Sequence, residues 1–217
     1  DVLIFSDEAS PVTLTRDSGF KGAFFLTAGG GKITLQNIVL DGGGDAIAGV
    51  TGSLVEANDQ GTITLNTGAV LRNNVKSAGN GGGLNAIVNS TVYINEGSVV
   101  EYNKTPGENH GIGGGVYVSQ SYPYNDASKL FVSGGTIQYN EAKGGGGGLA
   151  TGSTVVEVQM TGGDIVYNKS TPDYLGGGVC TTGFFEFSGG SISHNIGTRG
   201  GGGVYVSSGE FTMTGGE

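Results

Sequence analysis

Apolar and variable residues alternate in short runs along this chain, and glycine or asparagine closes each run. Ile63/Leu65, Val92/Ile94, Leu130/Val132, Val158/Met160, Phe185/Phe187 and Phe211/Met213 fall in one register. Thr64, Tyr93, Phe131, Gln159, Glu186 and Thr212 stand between them. One face stays apolar while the other varies freely, which is the pattern of a half-buried strand. After a glycine turn comes a second block of Ile or Val, two variable residues and Asn: "VLRN" (70–73), "VEYN" (100–103), "IQYN" (137–140), "IVYN" (165–168) and "ISHN" (192–195). A third block reads "GGGL" or "GGGV", at 81–84, 113–116, 146–149, 176–179 and 201–204, with weaker forms "GAFF" from Gly22 and "GSLV" from Gly52. The last glycine of each falls at 22, 52, 83, 115, 148, 178 and 203, so successive units are 25 to 33 residues long. No stretch carries helical periodicity.

A flexible linker would not keep such a period. One three-strand unit cannot bury its own apolar face, but stacked units share a continuous core. The pattern therefore predicts an all-β chain folded as a right-handed parallel β-helix, a solenoid of seven or eight coils with three short strands each. At a strand spacing near 4.8 Å it stands about 35–40 Å tall. Asn tolerates the left-handed backbone of a sharp corner, and its amide can bond the Asn of the next coil. Asn73, Asn103, Asn140, Asn168 and Asn195 are the expected ladder. The glycines are expected at corners where neighbouring coils leave no room for Cβ or where φ is positive. Residues 1–21, with Val2/Ile4 and Val12/Leu14 alternating, are expected to form an irregular first coil covering one end, and 22–217 the repeats. The closing "FTMTGGE" matches half of an upstream unit, which suggests a piece of a longer protein with a C-terminal end that could pair with another molecule.

Composition sharpens this picture. Of 217 residues, 46 are Gly and only four Pro, with no Gly-X-Y period, so collagen is excluded. Charged residues make up 13% and the net charge is −9. The ten basic residues are scattered singly, which argues against nucleic acid as a partner. No apolar run is long enough for a membrane span. The lone Cys180 rules out an intrachain disulfide and a cysteine zinc cluster. No cofactor and no metal is expected.

With these motifs in hand, a resemblance can be stated. The paired signals "GGG[L/V]" and "[I/V]-x-x-N" over residues 22–217 resemble the repeats of polymorphic outer-membrane proteins. They resemble more closely the glycine-rich repeats of large bacterial cell-surface proteins. Both families are right-handed parallel β-helices of the pectate-lyase-like superfold. The resemblance implies an extracellular domain of the bacterial surface or cell wall, acting in adhesion or as a stalk that presents other domains. Here Gly stands for the Ala of the outer-membrane repeat and Ile or Val for its Phe, so an autotransporter barrel does not follow.

The same superfold hosts polysaccharide lyases and glycoside hydrolases, the alternative reading. A hydrolase needs two carboxylates flanking one bond. Asp164 falls in the column of Thr136 and Ser191, and Glu186 in that of Gln159 and Thr212, each an isolated outward position. "ENHG" (108–111) has no accompanying Asp pair. "GGGDAI" (42–47) resembles one calcium-binding nonapeptide, but such sites need consecutive repeats, so a glycine turn is expected. His110 and His194 lack metal-ligand spacing. A threonine array of the ice-binding type is broken by Tyr93, Phe131, Gln159 and Glu186.

One surface remains as a binding candidate. Immediately before the corner Asn, Arg72, Tyr102, Tyr139, Tyr167 and His194 are expected to share a column. The loops 104–112 and 169–175 leave the same corner. Tyrosine offers rigid apolar area and a polar tip. Tyr102, Tyr139, Tyr167 and Tyr174, rimmed by Glu108, His110 and Asp173, form the candidate contact surface for a host glycan or host surface protein. A stack kept for stability alone is the competing reading. The loop 119–128, at a different corner, is the second candidate.

Overall fold

The computed structural model describes residues 1–107, 111–121, 126–171 and 175–217. It is all-β, a parallel β-solenoid of about seven turns. Three stacks of strands make its wall. The first holds Val2–Phe5, Lys32–Gln36, Thr62–Leu65, Thr91–Ile94, the leading halves of Lys129–Gln138 and Glu157–Val166, then Phe184–Phe187 and Glu210–Met213. The second holds Val12–Thr15, Ile38–Asp41, Val70–Arg72, Val99–Glu101, the trailing halves of the same two long strands and Ser191–Ser193. The third runs from Phe25–Thr27 through Val55–Ala57, Leu84–Ile87, Val116–Ser119, Leu149–Thr151 and Val179–Thr181 to Val204–Val206. All pairings are parallel, and each rung lies one repeat from the next.

Register follows the apolar alternation. Ile63, Val92, Leu130, Val158 and Phe185 are partners on successive rungs, and each is at most 1% exposed. Leu71, Val100, Ile137 and Ile165 close the core from the second stack, and Leu84, Val116, Leu149 and Val179 from the third. Each such side chain contributes on the order of 1.5–3 kcal/mol, which offsets the ordering of so many glycines.

The glycine triplets serve two different needs. Gly146, first in its triplet, has φ +60°, and a Cβ there would collide with the Leu149 carbonyl oxygen. Gly148, third in the triplet, would place a Cβ 2.8 Å from Asn168 Nδ2 and 2.9 Å from the Gly178 carbonyl oxygen. The first position needs a left-handed backbone and the third needs an absent side chain.

Two sequence expectations are corrected and two features are added. The corner ladder begins at Asn74, not Asn73: Arg72 pairs with Glu101, which puts Asn74 opposite Asn103, and the Asn74 N–H donates to Asn103 Oδ1 at 3.1 Å. In the first two units Phe24 and Leu54, not Gly22 and Gly52, stand where later coils have the third glycine, because Phe25, Val55 and Leu84 are in register. The fully buried Leu54 side chain fills that space. Residues 1–21 carry the terminal rungs at one end of the stack, with Val2–Phe5 paired to Ile33–Gln36 and Val12–Thr15 to Ile38–Asp41. Finally, a fourth short stack follows the Asn corner, with rungs Lys104–Thr105, Glu141–Ala142 and Lys169–Ser170. Two residues are too few to show alternation, although Thr105, Ala142 and Ser170 all point inward and are buried.

Candidate functional site

The tyrosine flank is a product of the Asn ladder. Asn103, Asn140 and Asn168 each donate their backbone N–H and Nδ2 to the Oδ1 of the next ladder Asn, at 2.8–3.1 Å. Each Nδ2 also donates to a carbonyl of the preceding coil: Leu71, Val100 and Ile137. Swinging the Asn inward requires the preceding residue to take a left-handed backbone. Asn73, Tyr102, Tyr139, Tyr167 and His194 do so, with φ between 52° and 57°. That conformation costs a non-glycine residue roughly 1–2 kcal/mol.

The side chains of that column stack outside the wall. Tyr102 and Tyr139 lie 5.1 Å apart at 5°, Tyr139 and Tyr167 5.2 Å apart at 9°, and Tyr167 and His194 4.9 Å apart at 29°. Such contacts contribute about 0.5–1.5 kcal/mol each, enough to offset part of the corner strain. Stacking also occupies the ring faces, so the flank presents ring edges and a row of phenol hydroxyls. Tyr102, Tyr139 and Tyr167 remain 42–47% exposed. His194 Nδ1 lies 3.1 Å from Ser193 Oγ.

The structure thus unites Tyr102, Tyr139, Tyr167 and His194. Arg72 is not in that column; Asn73 takes its place by the register shift described above. The Arg72 Nε instead donates to Asp41 Oδ2 at 2.8 Å. Partial burial pushes the Asp41 carboxyl up, but bonds from the Gly43 N–H, Arg72 and Asn73 together with the Arg72 charge bring it below its ordinary 3.8. Tyr174, Glu108, His110 and Asp173 lie outside the described residues, as do residues 122–125 of the 119–128 loop. Beside the flank, Asp45, Lys104, Pro106, Glu141, Lys143 and Thr171 line a groove of about 230 Å³. Lys104 pairs with Asp45 at 3.1 Å and Lys169 with Glu141 at 3.9 Å. Within "GGGDAI", Gly44–Ala46 is a single 3₁₀ turn closed by the Ile47 N–H on the Gly44 carbonyl, with Asp45 paired to Lys104.

Sequence reasoning missed two buried cations. Arg16, 3% exposed, lies 5.4 and 5.1 Å from the Phe20 and Phe24 rings. Its guanidinium bonds the Phe20 and Gly22 carbonyls and donates to Asn74 Oδ1 at 3.2 Å, which terminates the ladder. Lys76 Nζ donates to Ser53 Oγ at 3.0 Å and the Asn80 carbonyl at 2.8 Å, with Glu56 3.6 Å away. Burial lowers its pKa, and Glu56 opposes that shift. A lone Arg or Lys in a variable segment gives no sequence signal of burial.

A second surface lies on the first stack. The in-between residues of the first stack face outward on successive rungs, with Tyr93 and Phe131 stacked 5.1 Å apart at 12°. Phe184 is 48% exposed beside Glu157, Gln159 and Glu186 in an open groove of about 280 Å³. Lys129 pairs with Glu157 at 2.8 Å, and that carboxylate raises the lysine pKa. Cys180 sits in the column of Tyr117, Ala150 and Tyr205, and burial pushes its thiol up.

Among the described residues no three His, Cys, Asp or Glu side chains group as metal ligands, and no helix is long and apolar enough to cross a membrane. The chain matches no protein-family model, no curated protein and no solved structure.

Proposed function

We propose that this chain is a non-catalytic, extracellular repeat domain of a bacterial surface protein that works in adhesion to a host glycan or host surface protein. The supporting observation is the exposed ladder of Tyr102, Tyr139 and Tyr167, carried on a wall whose coils are bonded to both neighbours. A rigid column of phenols gives a partner apolar edges and regularly spaced hydroxyls at little cost in side-chain entropy. A second reading, a stalk presenting other domains, draws on the Asn ladder, which runs unbroken from Asn74 to Asn195 and stiffens the rod.

The test compares wild type with a Tyr139→Ser/Tyr167→Ser variant on host cells and on a glycan array. Adhesion through the flank predicts roughly tenfold weaker binding by the variant. Unchanged binding removes the flank, and silence of the wild type on both leaves the stalk. Release of shortened or unsaturated sugars from polysaccharides would overturn the non-catalytic reading.

A further inference from the structure

We propose that the outward face of the first stack binds a neutral polysaccharide laid along the solenoid axis, an inference that rests on the adhesive reading and gives it a site apart from the tyrosine flank. Two open grooves meet on this face. One, of about 280 Å³, is lined by Glu157, Gln159, Phe184 and Glu186. The other, of about 210 Å³, continues it along Thr161, Ser188, Thr212 and Thr214 and shares Gln159 and Glu186. Those two shared side chains are exposed and make no hydrogen bond among the described residues. Their bonding capacity is directed at solvent.

The side chains here select for hydroxyl groups. A carboxylate only accepts, an amide does both, and a threonine hydroxyl does both, so a ligand must donate and accept at closely spaced positions. Sugar hydroxyls do this. Phe184 offers an exposed ring for the apolar C–H face of a sugar. Phe131, covered by Tyr93 on one face, lies one rung from Gln159 and offers another. Gln159, Glu186 and Thr212 repeat at the rung spacing of about 4.8 Å, which suits a polymer better than a single sugar.

Two alternatives fit less well. An extended peptide takes much of its affinity from the free backbone of a sheet edge, whereas Gln159 and Glu186 stand on strands whose backbones are paired to rungs on both sides. A uronic-acid, sulfated or sialylated chain would meet Glu186 and Glu210, which have no ion-pair partner among the described residues, on a chain of net charge −9. Like-charge repulsion therefore restricts a glycan occupant to an uncharged one.

Ligand-observed NMR with cellotetraose, laminaritetraose, mannotetraose, xylotetraose and N-acetylchitotetraose, against trigalacturonate and decalysine, tests the site. At least one neutral tetrasaccharide should bind. Phe184→Ala and Glu186→Ala should each weaken it roughly tenfold, with circular dichroism unchanged. Tyr139→Ser/Tyr167→Ser should leave it unaffected. Glu186→Gln with Glu210→Gln should admit trigalacturonate. Failure of every neutral probe, equal binding by Phe184→Ala, or preference for decalysine would each overturn the groove. Host-cell binding lost in the tyrosine variant, with no neutral tetrasaccharide bound by wild type, would overturn the groove and leave adhesion standing. Cleavage of a bound tetrasaccharide would instead overturn the non-catalytic reading and leave the groove standing.

Discussion

Replacing Asn140 with alanine probes the corner ladder at its middle. Asn140 is 1% exposed. Its Oδ1 accepts from the Asn103 N–H at 2.9 Å and from Asn103 Nδ2 at 3.1 Å, and its own Nδ2 donates to the Val100 carbonyl at 2.9 Å. Alanine leaves those three buried groups without their partner, at about 1–3 kcal/mol each. Allowing for relaxation, the loss should be roughly 3–5 kcal/mol, a large share of the ~5–15 kcal/mol typical of a folded domain. Urea unfolding followed by far-UV circular dichroism measures it, with an unchanged slope confirming that the same surface unfolds. Asn140→Asp supplies a second reading from the same assay. An ionised carboxylate cannot donate to Val100 and faces Asn168 Oδ1, 3.0 Å from the present Nδ2. Protonation restores one donor, so Asn140→Asp should gain stability relative to wild type as pH falls. A loss below about 1 kcal/mol for Asn140→Ala would refute the claim that the ladder holds the corner.

Neighbouring asparagines should behave differently. Asn74→Ala strips partners from the Gly52 and Gly82 carbonyls and from Arg16, and should cost several times more in urea unfolding than Asn73→Ala, which loses one bond to Asp41. Because the Asp41 pKa is lowered on folding, its contribution is full above 3.8 and is lost as pH falls through the lower folded value. Asp41→Asn should therefore flatten acid-induced destabilisation below pH 3.8, and an unchanged acid profile would contradict this. Cys180, its thiol pushed up by burial, should react with a thiol reagent at pH 7 far more slowly than free cysteine, with rates converging on unfolding.

The sequence exposed most of the architecture because solenoid repetition writes the same constraint many times. The Ile63–Phe187 columns were legible since a one-residue slip would move a whole apolar set into solvent. The Asn ladder was legible in kind but slipped by one at its start. There Asn73 and Asn74 are consecutive, and Val70 imitates Val100 while Leu71 is its true partner. Nothing local distinguishes the two asparagines; only pairing to Glu101 does. Gly22 and Gly52 misled for the opposite reason, since the early coils fill the third-glycine position with Phe24 and Leu54. The tyrosine column was readable because its position before the Asn is fixed. The groove around Phe184 was not, because outward residues vary and show kinship only once the rungs are stacked.

The central claim is that like residues of successive units occupy adjacent rungs, and cross-linking tests it directly. Gln159 and Glu186 are in-register partners one rung apart, while Gln159 and Thr212 are separated by two rungs. A rung spacing of about 4.8 Å lies within the ~4.4–6.8 Å range of Cα separations that a disulfide spans, and about 10 Å does not. In a Cys180→Ser background, Gln159→Cys/Glu186→Cys should oxidise to an intramolecular disulfide and Gln159→Cys/Thr212→Cys should not. Equal bridging of both pairs, or bridging of the second alone, would contradict the stack.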